Sequence, residues 1–282
     1  MNKLRERMMG CVFLVTAFTS IIAVVIICLF LLANGIPTIG EIGPMQFLLG
    51  TKWRPSAGLY GIFPMILGSI YVTAGALVVG VPVGLLCAVF LARFCPERLY
   101  RVLKPAVDLL AGIPSIVYGF FGLVVIVPII RELFGGSGKN ILTASLLLGI
   151  MILPTLISVS EAAIRAVPES YYEGALALGA TPEETVFRVM LPAAKSGITA
   201  GIILAIDRAI GEAMAVNMVA GNQPVIPGSI LSGVRTLTSN IVLEMGYAAD
   251  LHREALIATG VVLFVFILLI NLSFSLLRRR DD

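Results

Sequence analysis

Three charged residues, Asp207, Arg208 and Glu212, stand close together in a stretch that is otherwise apolar. A charged side chain inside a bilayer costs about 2.5–3.5 kcal/mol on insertion scales, so these groups must face one another or water. Arg208 and Glu212 are four residues apart and can pair on one face of a helix, whereas Asp207 points about 100° away from Arg208. Two interpretations follow: an ion pair that locks helices together, or a polar constriction on a solute path, where an arginine suits a planar oxyanion.

Motifs for covalent or metal-assisted catalysis are absent from the sequence. There is no HExxH zinc motif, no GxSxG nucleophile elbow in a strand-to-helix setting, and no GxxxxGK[ST] phosphate-binding loop. The four cysteines form no CxxC pair, and the single histidine, His252, cannot complete a zinc site with them. We therefore expect no catalytic residue, no metal site and no cofactor bound by this chain.

The elements that hold these charges are predicted to be membrane helices. Of the 282 residues, 58% are hydrophobic and 13% are charged, whereas soluble domains carry roughly 25% charged residues. The net charge of +3 is too small to indicate a nucleic-acid partner. Because about 20 apolar residues cross the hydrocarbon core of a bilayer, uncharged runs predict six crossings. They lie at approximately 9–33, 67–90, 106–130, 142–157, 198–220 and 256–276.

Glycines and prolines inside these runs indicate how the helices pack. Gly80 and Gly84 allow a close helix approach around Pro82. The run over 106–130 contains Gly112 and Pro114, which predict an irregular turn at membrane depth, facing either protein or a water-filled path. The expected fold is an all-α integral membrane protein with a single domain over residues 1–282.

Basic residues set the expected orientation, because lysine and arginine favour the cytoplasmic side of a membrane. Most of them fall in segments that lie inside the cell if the amino terminus is cytoplasmic, and both termini are then expected in the cytoplasm. These residues are Lys3, Arg5, Arg7, Arg93, Arg98, Arg101, Lys104, Arg165, Arg188, Lys195, Arg278, Arg279 and Arg280.

The cytoplasmic loop over 161–196 carries the signals of two short helices. Pro168 and Glu169 are typical of a first helical turn. Thr181, followed by Pro182 and two glutamates, is typical of a helix N-cap. A hairpin of this kind, projecting from a membrane bundle, is suited to being gripped by a partner.

The residue spacing in this loop resembles the EAA loop of ABC-importer permeases. The family pattern is EAA, three residues, Gly, nine residues and I-x-L-P; this chain has Gly174 in place of Ala and Val189 in place of Ile. The matching positions are Glu173, Gly174, Ala175, Gly179, Val189, Leu191 and Pro192. The resemblance implies that the loop forms a coupling helix in a groove of an ATPase subunit. It also implies that Glu173 contacts that subunit or caps the turn.

Other segments are similar to the permeases of phosphate-specific ABC importers, of the PstC type. The stretch 208–216 resembles their RAxGETMAV signature with Ala213 in place of Thr, and the stretches 47–53, 112–119, 236–238 and 244–246 are similar to the same family. The resemblance covers nearly the whole chain. It implies a type I importer bundle in the plasma (inner) membrane of a prokaryote, surrounded by membrane lipid. The implied partners are a second homologous permease, two copies of an ATPase that uses ATP and Mg, and an extracytoplasmic phosphate-binding protein.

The resulting hypothesis is a phosphate permease in which Arg208 contacts the anion in transit and Glu212 pairs with Arg208 at rest. One alternative is an ABC permease for another oxyanion, such as molybdate or sulfate. A second is a proton-coupled secondary transporter with Asp207 and Glu212 as its relay. A membrane enzyme is a third, although the sequence offers it no nucleophile–base pair.

Overall fold

The structure is a computed structural model that describes residues 2–281. Most of it consists of apolar helices, several of them long enough to cross a bilayer. The structure does not describe the side chains of residues 2–4, 7, 275 and 277–281. Lys3, Arg7 and the three arginines at 278–280, which are expected in cytoplasmic segments, therefore lie outside the described side chains. In the described chain five segments satisfy the length and hydropathy of a span: Met8–Ile42, Phe63–Phe94, Ser115–Phe134, Ile141–Arg165 and Asp250–Phe274. A bent pair, Pro182–Ala193 with Lys195–Gly211, supplies the sixth crossing.

Most of the helices follow one another with short connections; the longer ones are 50–62, which holds a β-hairpin, and 220–236. In order the helices are α1 (Asn2–Ile42), α2 (Pro44–Leu49), α3 (Phe63–Val89), α4 (Glu97–Ala111), α5 (Ser115–Phe121), α6 (Val127–Phe134), α7 (Ile141–Arg165), α8 (Glu169–Ala177), α9 (Pro182–Thr185), α10 (Leu191–Ala193), α11 (Lys195–Gly211), α12 (Met214–Val219), α13 (Leu237–Glu244) and α14 (Asp250–Asp281). π-helical turns extend or join them at Phe90–Phe94, Gly122–Ile126 and Val186–Met190. A small antiparallel hairpin, β1 (Trp53–Arg54) with β2 (Leu59–Tyr60), is the exception to the all-helical expectation.

Helix α7 lies at the centre of the bundle and packs against α3, α4, α11 and α12. Two glycines of α3 permit its close approach to α7, as their spacing predicts. A methyl group on Gly80 would stand 2.7 Å from Ile152, and one on Gly84 would stand 2.7 Å from Leu156. At the edge of the bundle α1 packs on α14, and most of its apolar side chains are exposed for contact with lipid.

The third expected crossing, over 106–130, is wrong at its amino-terminal end. The chain there forms α4, a separate amphipathic helix, and the span begins at Ser115 after a break. Charged residues Arg98, Arg101 and Lys104 occupy α4, and α4 is not among the candidate spans. Pro114 then stops the helix, because proline disfavours a helical conformation in the residue before it.

Several other helices are longer or more interrupted than the sequence predicts. Helix α1 continues beyond residue 33 to Ile42, and α14 begins at Asp250 rather than near 256. Helix α7 extends beyond 157 to Arg165 and so takes in the first residues of the expected loop over 161–196. The crossing expected over 198–220 is broken after Gly211. Thr38 near the end of α1 and Glu161 near the end of α7 are buried, and hydropathy alone does not register such buried polar residues.

Candidate functional site

Arg208 lies near the carboxyl end of α11 and contacts α7. One of its terminal nitrogens donates a hydrogen bond to Thr155 Oγ1 at 3.0 Å. Thr155 follows Pro154 inside α7. Ala205 and Ala209, which lie close to Arg208 along α11, are buried in the bundle core. The arginine is therefore held by a neutral hydroxyl and keeps its charge uncompensated by that contact.

Glu212 does not pair with Arg208 in this structure, contrary to the expected i,i+4 ion pair. Helix α11 ends at Gly211, and Glu212 has an extended backbone with φ −72° and ψ 125°. Its carboxylate instead accepts a hydrogen bond from the backbone N–H of Ala215 at 3.0 Å, in the first turn of α12. A negative side chain at that position stabilises a helix start. The break removes the helical geometry on which the predicted pair depended.

Asp207 turns away from both of these residues and faces α14. Its Oδ2 accepts a hydrogen bond from the Asn271 amide at 3.2 Å, while Asp207 Oδ1 and Asn271 Oδ1 are buried without a hydrogen-bond partner. Asp207 and Glu212 contact different helices, α14 and α12. The two carboxylates therefore do not form the connected relay that a proton-coupled transporter would need.

Two interrupted helices meet beside Arg208. The first interruption, at 112–114, is bridged by the buried Tyr118, whose hydroxyl donates to the carbonyl of Leu110 at 2.9 Å. The second follows Gly211. Helix α5 touches α12 closely, since a methyl group on Gly119 would lie 2.9 Å from the Ala215 Cα. Broken helices at membrane depth are tolerated where they line a cavity or are buried in protein, so this junction is the candidate solute path.

The hairpin that follows α7 has the geometry that its glycine and threonine predict. Gly179 has φ +90°, the left-handed conformation. Its N–H donates to the Leu176 carbonyl at 2.9 Å and that of Ala180 donates to the Ala175 carbonyl at 3.2 Å, which together make a Schellman motif. The next helix opens with a capping box between Thr181 and Glu184. The bonds that define this turn are therefore all local, within a few residues of Gly179 and Thr181.

The surface of this hairpin is open. Helix α8 has no buried residue; Glu173 and Gly174 are exposed, and Leu178 at its end is 91% exposed. Tyr171 and Leu176 are exposed as well, and several exposed apolar side chains on one short element are suited to an interface with another chain. Leu191 and Pro192 lie in α10, where the chain bends by 71° into α11. The residues that match the EAA pattern therefore occupy one continuous segment, Glu169–Ala193, which we call the coupling segment.

Sequence reasoning missed a buried carboxylate above the coupling segment. Glu161, expected in the loop, lies in the last turns of α7 with 3% of its side chain exposed. It accepts hydrogen bonds from Tyr100 (2.7 Å), Arg165 (2.9 Å) and Lys104 (3.1 Å). Burial lowers the pKa of Lys104, but its ion pairs with Asp108 and Glu161 outweigh burial and raise that pKa. The i,i+4 spacing of Glu161 and Arg165 was the available sequence signal.

A second missed cluster lies at the opposite end of the bundle, around Glu244 of α13. This carboxylate accepts hydrogen bonds from Arg235 (2.5 Å), Trp53 (2.8 Å) and His252 (2.8 Å). Burial raises the pKa of Glu244, but these three hydrogen bonds outweigh it and hold the pKa below its ordinary value. The cluster joins the hairpin, α13 and the start of α14. Nothing in the sequence brings these four residues together, because Trp53 and Glu244 are 191 residues apart.

No group of three or more His, Cys, Asp or Glu side chains in residues 2–281 is arranged to hold a metal ion.

Comparisons with known proteins identify a transport family. The family described as "Binding-protein-dependent transport system inner membrane component" matches residues 80–280. A probable ABC transporter permease protein, YqgH of Bacillus subtilis, is 39% identical over 266 residues, covering 90% of this chain and 86% of its own. A phosphate transport system permease protein, PstC of Mesorhizobium japonicum, is 36% identical over 256 residues, covering 83% and 78% respectively.

Solved structures support the fold. The inward-facing MetNI methionine ABC transporter aligns with a TM-score of 0.60 at 22% identity, covering 85% of this chain and 99% of the other. A bacterial ABC transporter that imports the acidic polysaccharide alginate aligns with a TM-score of 0.62 at 15% identity, covering 94% and 95%. At these identities the likeness concerns the architecture of the helical bundle alone.

Proposed function

Because this chain belongs to the family of binding-protein-dependent transport system inner membrane components, we propose that it is one permease subunit of an ATP-driven importer of inorganic phosphate. The substrate assignment draws on the relatives named as phosphate transport system permeases, in both bacteria and Methanocaldococcus jannaschii. It agrees with an arginine at the junction of two broken helices, since a guanidinium matches the geometry of a phosphate oxyanion.

The coupling segment carries the proposal. It is rigid, it has an exposed apolar tip at Leu178, and it stands at the end of the central helix α7. The chain has no phosphate-binding loop of its own. A stiff, exposed hairpin is the means by which a separate ATPase subunit can move this bundle, with ATP and Mg bound by that partner.

In the proposed cycle Arg208 contacts phosphate during transit. Thr155 holds the guanidinium between passages, and the anion replaces that neutral hydrogen bond with a charge-assisted one. Glu212 is not the resting partner of Arg208 in this cycle. It stabilises the start of α12 and so maintains the break beside Arg208. Closure of the ATPases moves the coupling segments and alternates access to the path.

The complete importer would contain a second homologous permease, two ATPase subunits and an extracytoplasmic phosphate-binding protein. This chain would sit in the inner membrane with both termini and the coupling segment in the cytoplasm. The Glu244 cluster would then lie on the outer face, where the binding protein docks. These assignments of stoichiometry and orientation rest on the family and on the distribution of basic residues.

Uptake by the reconstituted complex tests the function. We expect proteoliposomes with the full complex and internal ATP to accumulate phosphate, and molybdate or sulfate in tenfold excess to leave the rate unchanged. Uptake of molybdate or sulfate in place of phosphate would support the alternative oxyanion permease. Uptake driven by a proton gradient without ATP would reject ATP coupling altogether.

A charge reversal in the coupling segment tests the ATPase contact. Glu173→Lys should lower copurification of the ATPase and phosphate uptake together, because Glu173 is exposed on α8 and its change leaves the packing intact. Glu132→Lys, an exposed change in α6 at the opposite end of α7, is the matched control. Equal retention of the ATPase by both variants would remove Glu173 from the interface.

A further inference from the structure

An arginine outside the coupling segment binds its first turn. Arg93 lies in the π-helical turn that ends the α3 span, with 13% of its side chain exposed. Its terminal nitrogen lies 2.9 Å from Glu169 Oε2, at the first residue of α8. Its guanidinium carbon lies 5.4 Å from the ring centroid of Tyr172, nearly one turn further along. Helix α3 thus holds α8 directly, although Arg93 and Glu169 are 76 residues apart in sequence.

The end of α7 is fastened to the same turn of α3. Arg165 donates from one terminal nitrogen to the Leu91 carbonyl at 2.7 Å and from Nε to Glu161 at 2.9 Å. Its guanidinium carbon lies 4.5 Å from the centroid of the Tyr100 ring of α4. The carboxyl ends of α3 and α7, together with α4, therefore form one connected base above the coupling segment.

The chain itself joins α8 to this base only through the short connection at 166–168. Without other contacts, a force on α8 would be absorbed by rotation at that connection. Arg93 adds side-chain attachments within the first turn of α8, an ion pair at Glu169 and a cation–π contact at Tyr172, whose ring also packs against the apolar core. Side-chain contacts from α3 to the first turn of α8 resist rotation at this connection better than the backbone connection alone.

We propose that Arg93 is a positioning residue that transmits movement of α8 into α3, so that the central helices move with the coupling segment. The proposal rests on the proposed function, because it requires a partner that moves α8. It concerns the efficiency with which ATP hydrolysis is converted into transport, and it leaves the ATPase-binding surface of α8 untouched.

The ratio of phosphate imported to ATP hydrolysed measures this role in the full complex. We expect Arg93→Gln to assemble and hydrolyse ATP at near the wild-type rate, while the ratio falls about fivefold or more, as typical coupling energies imply. The exchanged pair, Arg93→Glu with Glu169→Arg, should recover most of the ratio. A destabilising change would lower hydrolysis and transport together, so the ratio separates positioning from folding.

Arg101→Gln is the matched control, because it breaks an ion pair with Glu97 that is exposed on α4. A wild-type ratio in Arg93→Gln, or an equal fall in Arg101→Gln, would overturn the proposal. If Arg93→Gln does not assemble, Glu169→Gln tests the proposal in its place. The Glu169 side chain is 58% exposed, and its substitution removes the same ion pair. A wild-type complex without ATP-dependent phosphate uptake would instead reject the proposed function.

Discussion

At the scale of single residues, the sequence predicts that certain charged side chains form contacts, but it does not identify the partners of those contacts. The cost of burying a charge predicts that Asp207, Arg208 and Glu212 are all engaged, and each has a hydrogen bond. The predicted partner was wrong for Arg208, because i,i+4 pairing assumes an unbroken helix. Thr155 could not be predicted, since an uncharged residue 53 positions away gives no local signal.

Removing the Arg208 guanidinium should lower phosphate uptake. We expect Arg208→Ala to reduce the rate about tenfold or more, because a charge-assisted hydrogen bond contributes roughly 1.5–3 kcal/mol. Thr155→Val should have a smaller effect, since it removes the resting partner and leaves the charge. Arg131→Ala, at an exposed position of α6, is the control. Wild-type uptake by an assembled Arg208→Ala complex would exclude Arg208 from the path.

The Glu244 cluster predicts a pH dependence of stability. The pKa of Glu244 is lower in the folded protein, so its contribution is complete above the unfolded value of about 4.3 and is lost as the pH falls through the folded value. Glu244→Gln should lower the free energy of unfolding by about 3 kcal/mol at pH 7, because Arg235 is left without its buried partner. Thermal unfolding in detergent should show this difference shrinking below about pH 4.

Glu254→Gln, at an exposed position early in α14, is the control for that series. Its unfolding temperature should match the wild type at pH 7. A Glu244→Gln difference that persists undiminished at pH 3 would mean that shape, and not ionisation, stabilises the cluster.

At the scale of elements, local signals predicted the coupling segment well and the broken helices poorly. Gly179 and Thr181 determine their own turn and cap through bonds within a few residues, so the sequence is sufficient there. The end of α11 at Gly211 depends on Glu212 capping α12 and on the packing of α12 against α5. Hydropathy averages over such a break, and for that reason it predicts one continuous crossing over 198–220.

The turn at Gly179 should be intolerant of a side chain. Gly179→Val places a β-branched residue at φ +90°, at a cost of about 1–2 kcal/mol, although no atom lies within 4 Å of the added Cβ. We expect the turn to open and ATPase copurification to fall. Gly136→Val is closely matched, since Gly136 has φ +73° and equally open surroundings in the turn between α6 and α7. If both variants retain the ATPase equally, the shape of the Gly179 turn is not what the partner recognises.

At the scale of the whole molecule, the two missed clusters lie at opposite ends of the bundle. The Glu161 cluster ties α4 to α7 beside the coupling segment, and the Glu244 cluster ties the hairpin to α13 and α14. Both join segments that are distant in sequence, which composition and periodicity do not reveal. Apolar packing dominates the core around α7, with the hydrogen bonds of Arg208 and Asp207 as polar contacts inside the bundle.

Labelling from each side of the membrane tests the orientation of the whole chain. In a variant without its native cysteines, Leu178→Cys and Ser137→Cys place exposed thiols at opposite ends of α7. An impermeant maleimide added to intact cells should label Ser137→Cys alone, because basic residues place the coupling segment inside. After the membrane is opened, Leu178→Cys should react quickly without the ATPase and slowly with it, since the apolar tip is then covered. Labelling of Leu178→Cys in intact cells would show that the topology is the reverse of the predicted one. It would also contradict the assignment of α8 to contact with an ATPase.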